Sequence, residues 1–299
     1  MDIKKDIIYP AWKLINEDLK LKKVFFFPGF LSTIFAFSIL AYQTIYTYVV
    51  FFHKKEEALK VILNFFESQY FWEAITFFLI LVIFYIIIIP IFDWWLIKYI
   101  DSKNKWEKPS TWDLIWFWIH NFLKIFEFSN LSSELKFMAI LNIYLFLIRW
   151  FEWTHIKEIT IWVLLFLIFA TILNILFVYT KYEIVLEKSW VITAITKSKE
   201  ISIINFLMTL KIYLFMFLLN IRIIINFIVV LFFPILISIS FVSISSIFLK
   251  YLSMILLFWI FIFILIILSY LSWVLEIFKT AIWYNAYKIG KNRVDFIKK

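Results

Sequence analysis

The chain has no cysteine, which removes disulfides, thiolate nucleophiles and cysteine-ligated metal sites together. Glycine is almost as scarce: Gly29 and Gly290 are the only two in 299 residues, too few and too far apart for a phosphate-cradling loop. Arginine is rare as well, with only Arg149, Arg222 and Arg293 among 30 basic residues. The three histidines, His53, His120 and His155, lie in separate connections, and no pair has metal-ligand spacing. No serine sits in a nucleophile-elbow context. These absences remove the familiar catalytic constellations one after another, so neither enzymatic activity nor a metal or cofactor is expected.

What is present is apolar and aromatic. The chain is 64% hydrophobic, with 38 Phe, 15 Trp and 15 Tyr, whereas an ordinary soluble domain is about 45–50% apolar. A soluble core of this size has no room for so many rings, and lipid does. Six apolar runs, at about 24–52, 70–99, 135–151, 159–180, 206–233 and 251–278, divide the sequence. Lysine and arginine collect in every second gap between them, numbering 6, 3, 6, 2, 5, 1 and 6 from N- to C-terminus when Lys98, Lys136, Arg149 and Lys211 near the run ends are counted with the adjoining gap, with Arg222 deeper inside the fifth run. Basic loops stay on the cytoplasmic side of a bilayer. The pattern therefore predicts an all-α bundle of six transmembrane helices in the cytoplasmic membrane, a single polytopic domain with both termini inside. The net charge of +9, set beside apolar spans, points to anionic lipid headgroups on the cytoplasmic leaflet as partners and not to nucleic acid.

The connections carry their own periodicity. Residues 1–23 lack the short apolar core and small-residue cleavage site of a signal peptide. Over 3–22, Ile8, Trp12, Ile15 and Leu19 recur at helical spacing among charged residues, which predicts an amphipathic interfacial helix. A second is expected at 111–128, where Asp113, His120, Lys124 and Glu127 form a polar stripe, and a third at 188–204. Residues 235–250 alternate Ile or Phe with five serines. As a helix they reach about 24 Å, short of the roughly 30 Å hydrocarbon core, so a re-entrant element is expected there.

A charged residue inside a span is a functional candidate by default. Arg222, with Asn226 one turn on, is the leading one. The competing reading is that it snorkels to the outer interface or pairs with Glu73 or Glu152. On the basic face the candidate headgroup ligands are Lys188, Lys197 and Lys199. Asn142 and Asn174, each about seven residues from the inner end of its span, are candidate packing partners of one another. Ala194 and Ser198 form a small face suited to helix packing.

Three stretches resemble a widespread set of uncharacterised prokaryotic multi-pass membrane proteins, related to the membrane domain found ahead of some glycerophosphodiester phosphodiesterases. They are Tyr9-Pro10-Ala11-Trp12-Lys13-Leu14 leading into Phe26-Phe27-Pro28-Gly29-Phe30; Tyr182-Glu183-Ile184-Val185-Leu186-Glu187 leading into Ala194-Ile195-Thr196-Lys197-Ser198; and Ala281-Ile282-Trp283-Tyr284-Asn285-Ala286-Tyr287. The resemblance implies a six-helix membrane domain. The glycine it leads one to expect between Glu187 and Ala194 is absent, with Lys188-Ser189-Trp190 standing there. The family's soluble catalytic constellation has no room in this sequence, so its hydrolase activity does not transfer. The expected function is a non-enzymatic membrane protein that binds or organises lipid or a partner. The alternative is a transporter or channel with a polar site near Arg222 and the serine-rich 235–250 element.

Overall fold

A computed structural model describes residues 2–18, 21–22, 26, 28–35, 38, 49, 55–105, 111–133, 135, 137–151, 155–221 and 247–298. Among these there are helices and no strands. A π-helical turn, Lys4–Ile8, leads into α1 (Tyr9–Glu17). After it come α2 (Lys55–Phe66), α3 (Phe71–Asn104), α4 (Thr111–Ser133), α5 (Phe137–Trp150) and α6 (Ile156–Phe177). The chain continues through α7 (Thr180–Glu187), α8 (Val191–Ile204), α9 (Phe206–Ile221) and α10 (Ile247–Lys298).

Three of these helical runs are long and apolar enough to cross a membrane: α3, α6 continued into α7, and the Trp259–Lys298 part of α10. A fourth is counted if α8 and α9, bent by 98° at their junction, act as one. Most of the apolar run of α3 is exposed, with Trp72 at 74% and Phe77 at 65%. An apolar helix with exposed rings is compatible with a membrane span. The exposure ends abruptly near Trp94, beyond which Leu96, Ile97, Ile100, Asp101 and Ser102 are buried. The α5 helix has 14 residues, about 21 Å, and is the shortest of the expected spans. Most of 24–52, together with 222–233 and 235–246, lies outside the described residues.

The fold divides into two compact units, one of residues 1–17, 93–220 and 277–299, the other of 18–92 and 221–276. In the second, Gly29 is a point of close helix approach. A Cβ there would lie 2.6 Å from Cβ of Trp273 and 3.0 Å from the Ser269 carbonyl, so nothing larger than hydrogen fits. The Gly29 carbonyl accepts a hydrogen bond from Thr33 (2.8 Å), and Phe35 packs on Tyr85 with ring centroids 4.2 Å apart.

The buried stripe of the N-terminal helix is Ile7, Ala11 and Ile15, while Trp12 is 51% exposed and meets Phe278 edge-on. Of the apolar positions that recur at helical spacing, Ile15 is buried in the first unit and Trp12 lies at its edge. The α10 helix runs unbroken through Lys298; in its last part Ala281, Ile282, Tyr287 and Val294 are buried, while Phe296 and Ile297 are exposed.

The turn from α7 to α8 is of a kind that usually takes a glycine. Lys188 sits in the left-handed region, φ 53° and ψ 24°, and is the only non-glycine residue with positive φ among those described. That conformation is the usual place of a helix-terminating glycine. Lys188→Gly should therefore stabilise the protein by about 1 kcal/mol, read as a raised midpoint of thermal unfolding in detergent. The carbonyl contact from Lys124 Nζ (3.3 Å) is to the backbone and survives the change.

Candidate functional site

Past its apolar run, α10 carries Thr280, Tyr284, Tyr287, Lys288 and Lys291 three or four residues apart, hence on one face. That face meets two buried carboxylates within the first unit. Asp101, at the C-terminal end of α3, is 2% exposed. It accepts a hydrogen bond from the Tyr284 hydroxyl at 2.8 Å and pairs with Lys105 Nζ at 2.8 Å and Lys288 Nζ at 3.2 Å. Glu183 on α7 is 1% exposed. Its Oε1 accepts from the Tyr287 hydroxyl at 2.9 Å, with Lys291 Nζ at 3.9 Å, and its Oε2 faces Lys197 Nζ at 3.6 Å. Lys291 also pairs with Glu187.

Each carboxylate thus has one phenol and two ammonium groups around it. Burying a single ion costs several kcal/mol, and only good geometry with further hydrogen bonds offsets that cost. Asp101 meets this condition fully. Glu183 meets it on one oxygen, while Oε2 receives no hydrogen bond and relies on the charge of Lys197. Aromatic rings close the layer. Tyr182 stacks on Tyr287 at 5.7 Å and donates to the Thr280 carbonyl at 3.1 Å; Tyr179 meets Trp283 edge-on at 5.8 Å and shares a 3.0 Å hydrogen bond with Thr209.

The residues singled out from sequence do not converge. Lys197 joins the Glu183 group and also donates to Ser189 (3.3 Å). Lys188 caps the α7–α8 turn, and Lys199 is exposed on α8. Ala194 and Ser198 are fully buried. Ser198 Oγ donates to the Leu176 carbonyl at 2.7 Å and accepts from Tyr179 N–H at 3.1 Å, and Ser202 Oγ donates to the Ile175 carbonyl at 3.0 Å. These hydroxyls serve carbonyls at the break between α6 and α7, where the helical ladder stops supplying donors. Asn174 does not pair with Asn142. Its amide donates to the Leu135 carbonyl at 2.7 Å, and Asn142 is exposed. Depth counting placed the two asparagines level but carried no information on which way each faced. Arg222 and Asn226 lie outside the described residues, as does most of the 235–250 element.

Two clefts open on the same unit. One, of about 340 Å³, is lined by Asp6, Asn104, Lys105, Tyr284, Asn285, Lys288 and Ile289. The other, of about 530 Å³, lies where α8 bends into α9 and includes Asn205, Asn292, Arg293 and Phe296. Asn205 holds that corner together, donating to the Gly290 carbonyl at 3.2 Å while its Oδ1 accepts from Arg293 at 3.4 Å. Gly290 allows the approach, since a Cβ there would meet Ile201 at 3.0 Å. Neither cleft is lined by Lys188, Lys197 or Lys199. Among the described residues no group of three or more His, Asp or Glu is placed to hold a metal ion. Comparison with known protein families, with curated proteins and with solved structures finds no match to this chain.

Asp101, Glu183, Tyr284 and Tyr287 were not singled out from the sequence as candidates. Their signal was present but weak, in that each follows the end of an apolar run, where solvation by the interface is the ordinary explanation. Tyr287→Phe removes the hydroxyl donor to Glu183, and should cost about 1.5–3 kcal/mol of stability as a hydrogen bond to a charged group. In a double-mutant cycle with Glu183→Gln, measured by thermal unfolding, the two changes should be clearly non-additive.

Proposed function

We propose that this chain is a non-enzymatic multi-pass membrane protein of the cytoplasmic membrane that binds lipid headgroups at its lysine-rich, cytoplasmic side. The observation that carries the reading is the junction of three C-terminal helix ends. Asp101 ends α3, Glu183 and Glu187 end the α6–α7 run, and Tyr284 to Lys291 follow the apolar part of α10. Hydrogen bonds and ion pairs tie these ends to one another. Three helices joined in this way end on one side of the bilayer, as the lysine alternation requires of the second, fourth and sixth spans.

In this reading α5 is the short third span, and the N-terminal helix, α4 and α8 lie along the inner interface. The 98° bend at Asn205 supports the last placement, α8 running along the surface before α9 turns inward. Lysines at such a face attract anionic lipid by about 1 kcal/mol each. The transport alternative rests on Arg222 and on residues 235–250, and no described feature favours it.

The topology has a direct test, because the chain is cysteine-free. Asn104→Cys and His155→Cys should label from opposite sides of the membrane with an impermeant maleimide, and labelling from the same side would sink the six-span reading. For the ligand, native mass spectrometry of the purified protein should show phosphatidylglycerol or cardiolipin retained in preference to phosphatidylcholine. Equal retention, or none, counts against lipid binding.

A further inference from the structure

The smaller cleft carries an inference that rests on the lipid-binding reading and narrows it. Its walls come from three distant parts of the sequence: Asp6 before α1, Asn104 and Lys105 at the end of α3, and Tyr284, Asn285, Lys288 and Ile289 on α10. Two cationic groups are held at it by one anchor. Buried Asp101 pairs with Lys105 through Oδ2 and with Lys288 through Oδ1, while Tyr284 donates to the latter oxygen. Both lysine side chains remain about half exposed, at 52% and 43%, so their heads are reachable. An ammonium carries three donors, and on Lys288 the pairing with Asp101 leaves others for a second acceptor such as a phosphate, with the charge of Lys105 beside it.

The opposite sign is also present. Asp6 is an exposed residue of the cleft wall, and only its Oδ2 accepts from the backbone N–H of Asp2 (3.0 Å), so a carboxylate with about four acceptor sites keeps capacity for a donor. This wall is fixed in place, since Asn285 donates to the Ile7 carbonyl at 3.1 Å and ties the N-terminal helix to α10. Counting Asp101, the cleft has two lysines and two carboxylates and is formally neutral. A simple anion gains little net attraction from such a site. A group with its own phosphate and ammonium matches both walls.

We propose that this cleft binds a phosphoethanolamine group, with the phosphate on Lys105 and Lys288 and the primary ammonium on Asp6. The same chemistry comes from phosphatidylethanolamine in the bilayer or from free phosphoethanolamine. The exposed Tyr9 (64%) and Trp12 (51%) on the adjoining helix are the ring types of the membrane interface and favour the lipid.

The test is native mass spectrometry of the full chain in mixed micelles holding equal mole fractions of phosphatidylethanolamine, phosphatidylcholine and phosphatidylglycerol. Phosphatidylethanolamine should be retained over phosphatidylcholine, whose trimethylated head cannot donate to Asp6. Asp6→Asn, at an exposed position where folding is not at stake, should lower phosphatidylethanolamine retention about twofold to fivefold, the range of a partly exposed ion pair. It should leave phosphatidylglycerol retention unchanged. Lys288→Gln should weaken phosphatidylethanolamine binding as well. Displacement by millimolar phosphoethanolamine would show that the free compound is accepted, and retention against it would assign the site to the lipid. If the wild type does not distinguish the two zwitterionic lipids, or if Asp6→Asn changes nothing, the inference is overturned. Retained phosphatidylglycerol would then leave the broader reading standing, and retention of no lipid would remove both.

Discussion

Two buried carboxylates set the terms for the rest of the first unit. Asp101 and Glu183 have almost no access to solvent, so the chain must bring phenol and ammonium groups to them or bear the desolvation of both charges. The face of α10 formed by Tyr284, Tyr287, Lys288 and Lys291 meets that demand. It does so only because α10 stays helical well beyond its apolar run. The same requirement draws in Lys105 from beyond α3 and Lys197 from α8. Removing a carboxylate would leave its lysines without their anchor, and removing a tyrosine would leave a buried charge under-served. The polar layer is therefore expected to act as a unit.

The helix breaks follow from the same economy of polar groups. Where α6 gives way to α7, carbonyls of Ile175 and Leu176 lose their helical donors, and the hydroxyls of Ser202 and Ser198 replace them. Where α7 gives way to α8, Lys188 takes a left-handed conformation at a cost that glycine would avoid. Where α8 bends into α9, Asn205 bonds to the Gly290 backbone and to Arg293. In the proposed reading these three breaks are what allow a chain segment to leave a span, run along the interface and enter the bilayer again.

Legibility from sequence varied with the kind of force at work. The long apolar runs of α3, α6 and α10 were legible because a membrane span needs only length and hydropathy. The helical periods of α4 and α8 were legible for a similar reason, and the small-residue face of Ala194 and Ser198 does fall in the packed interior. Orientation around a helix axis was harder. Spacing alone does not say which residues of a helix face the protein: Ile15 is buried there, and so are Ile7 and Ala11, which the apolar period did not contain. The Asn142–Asn174 pair failed for the same reason. Asp101 and Glu183 were missed because an acid at the end of an apolar run has a solvated reading that is usually correct.

By itself the sequence determined that this is an apolar, all-helical protein without cysteine chemistry or a glycine-rich phosphate loop, and it marked the ends of the helices where lysines gather. Those properties are sums over local composition, so they survive without knowledge of contacts. Only the tertiary structure decided that Asp101 lies under Tyr284 and that Glu183 lies under Tyr287. It also decided that Asp6, Lys105 and Lys288 line one cleft. Such pairings join residues 100 to nearly 300 positions apart in the chain, and a buried charge is recognised by what surrounds it in space, which no local pattern records.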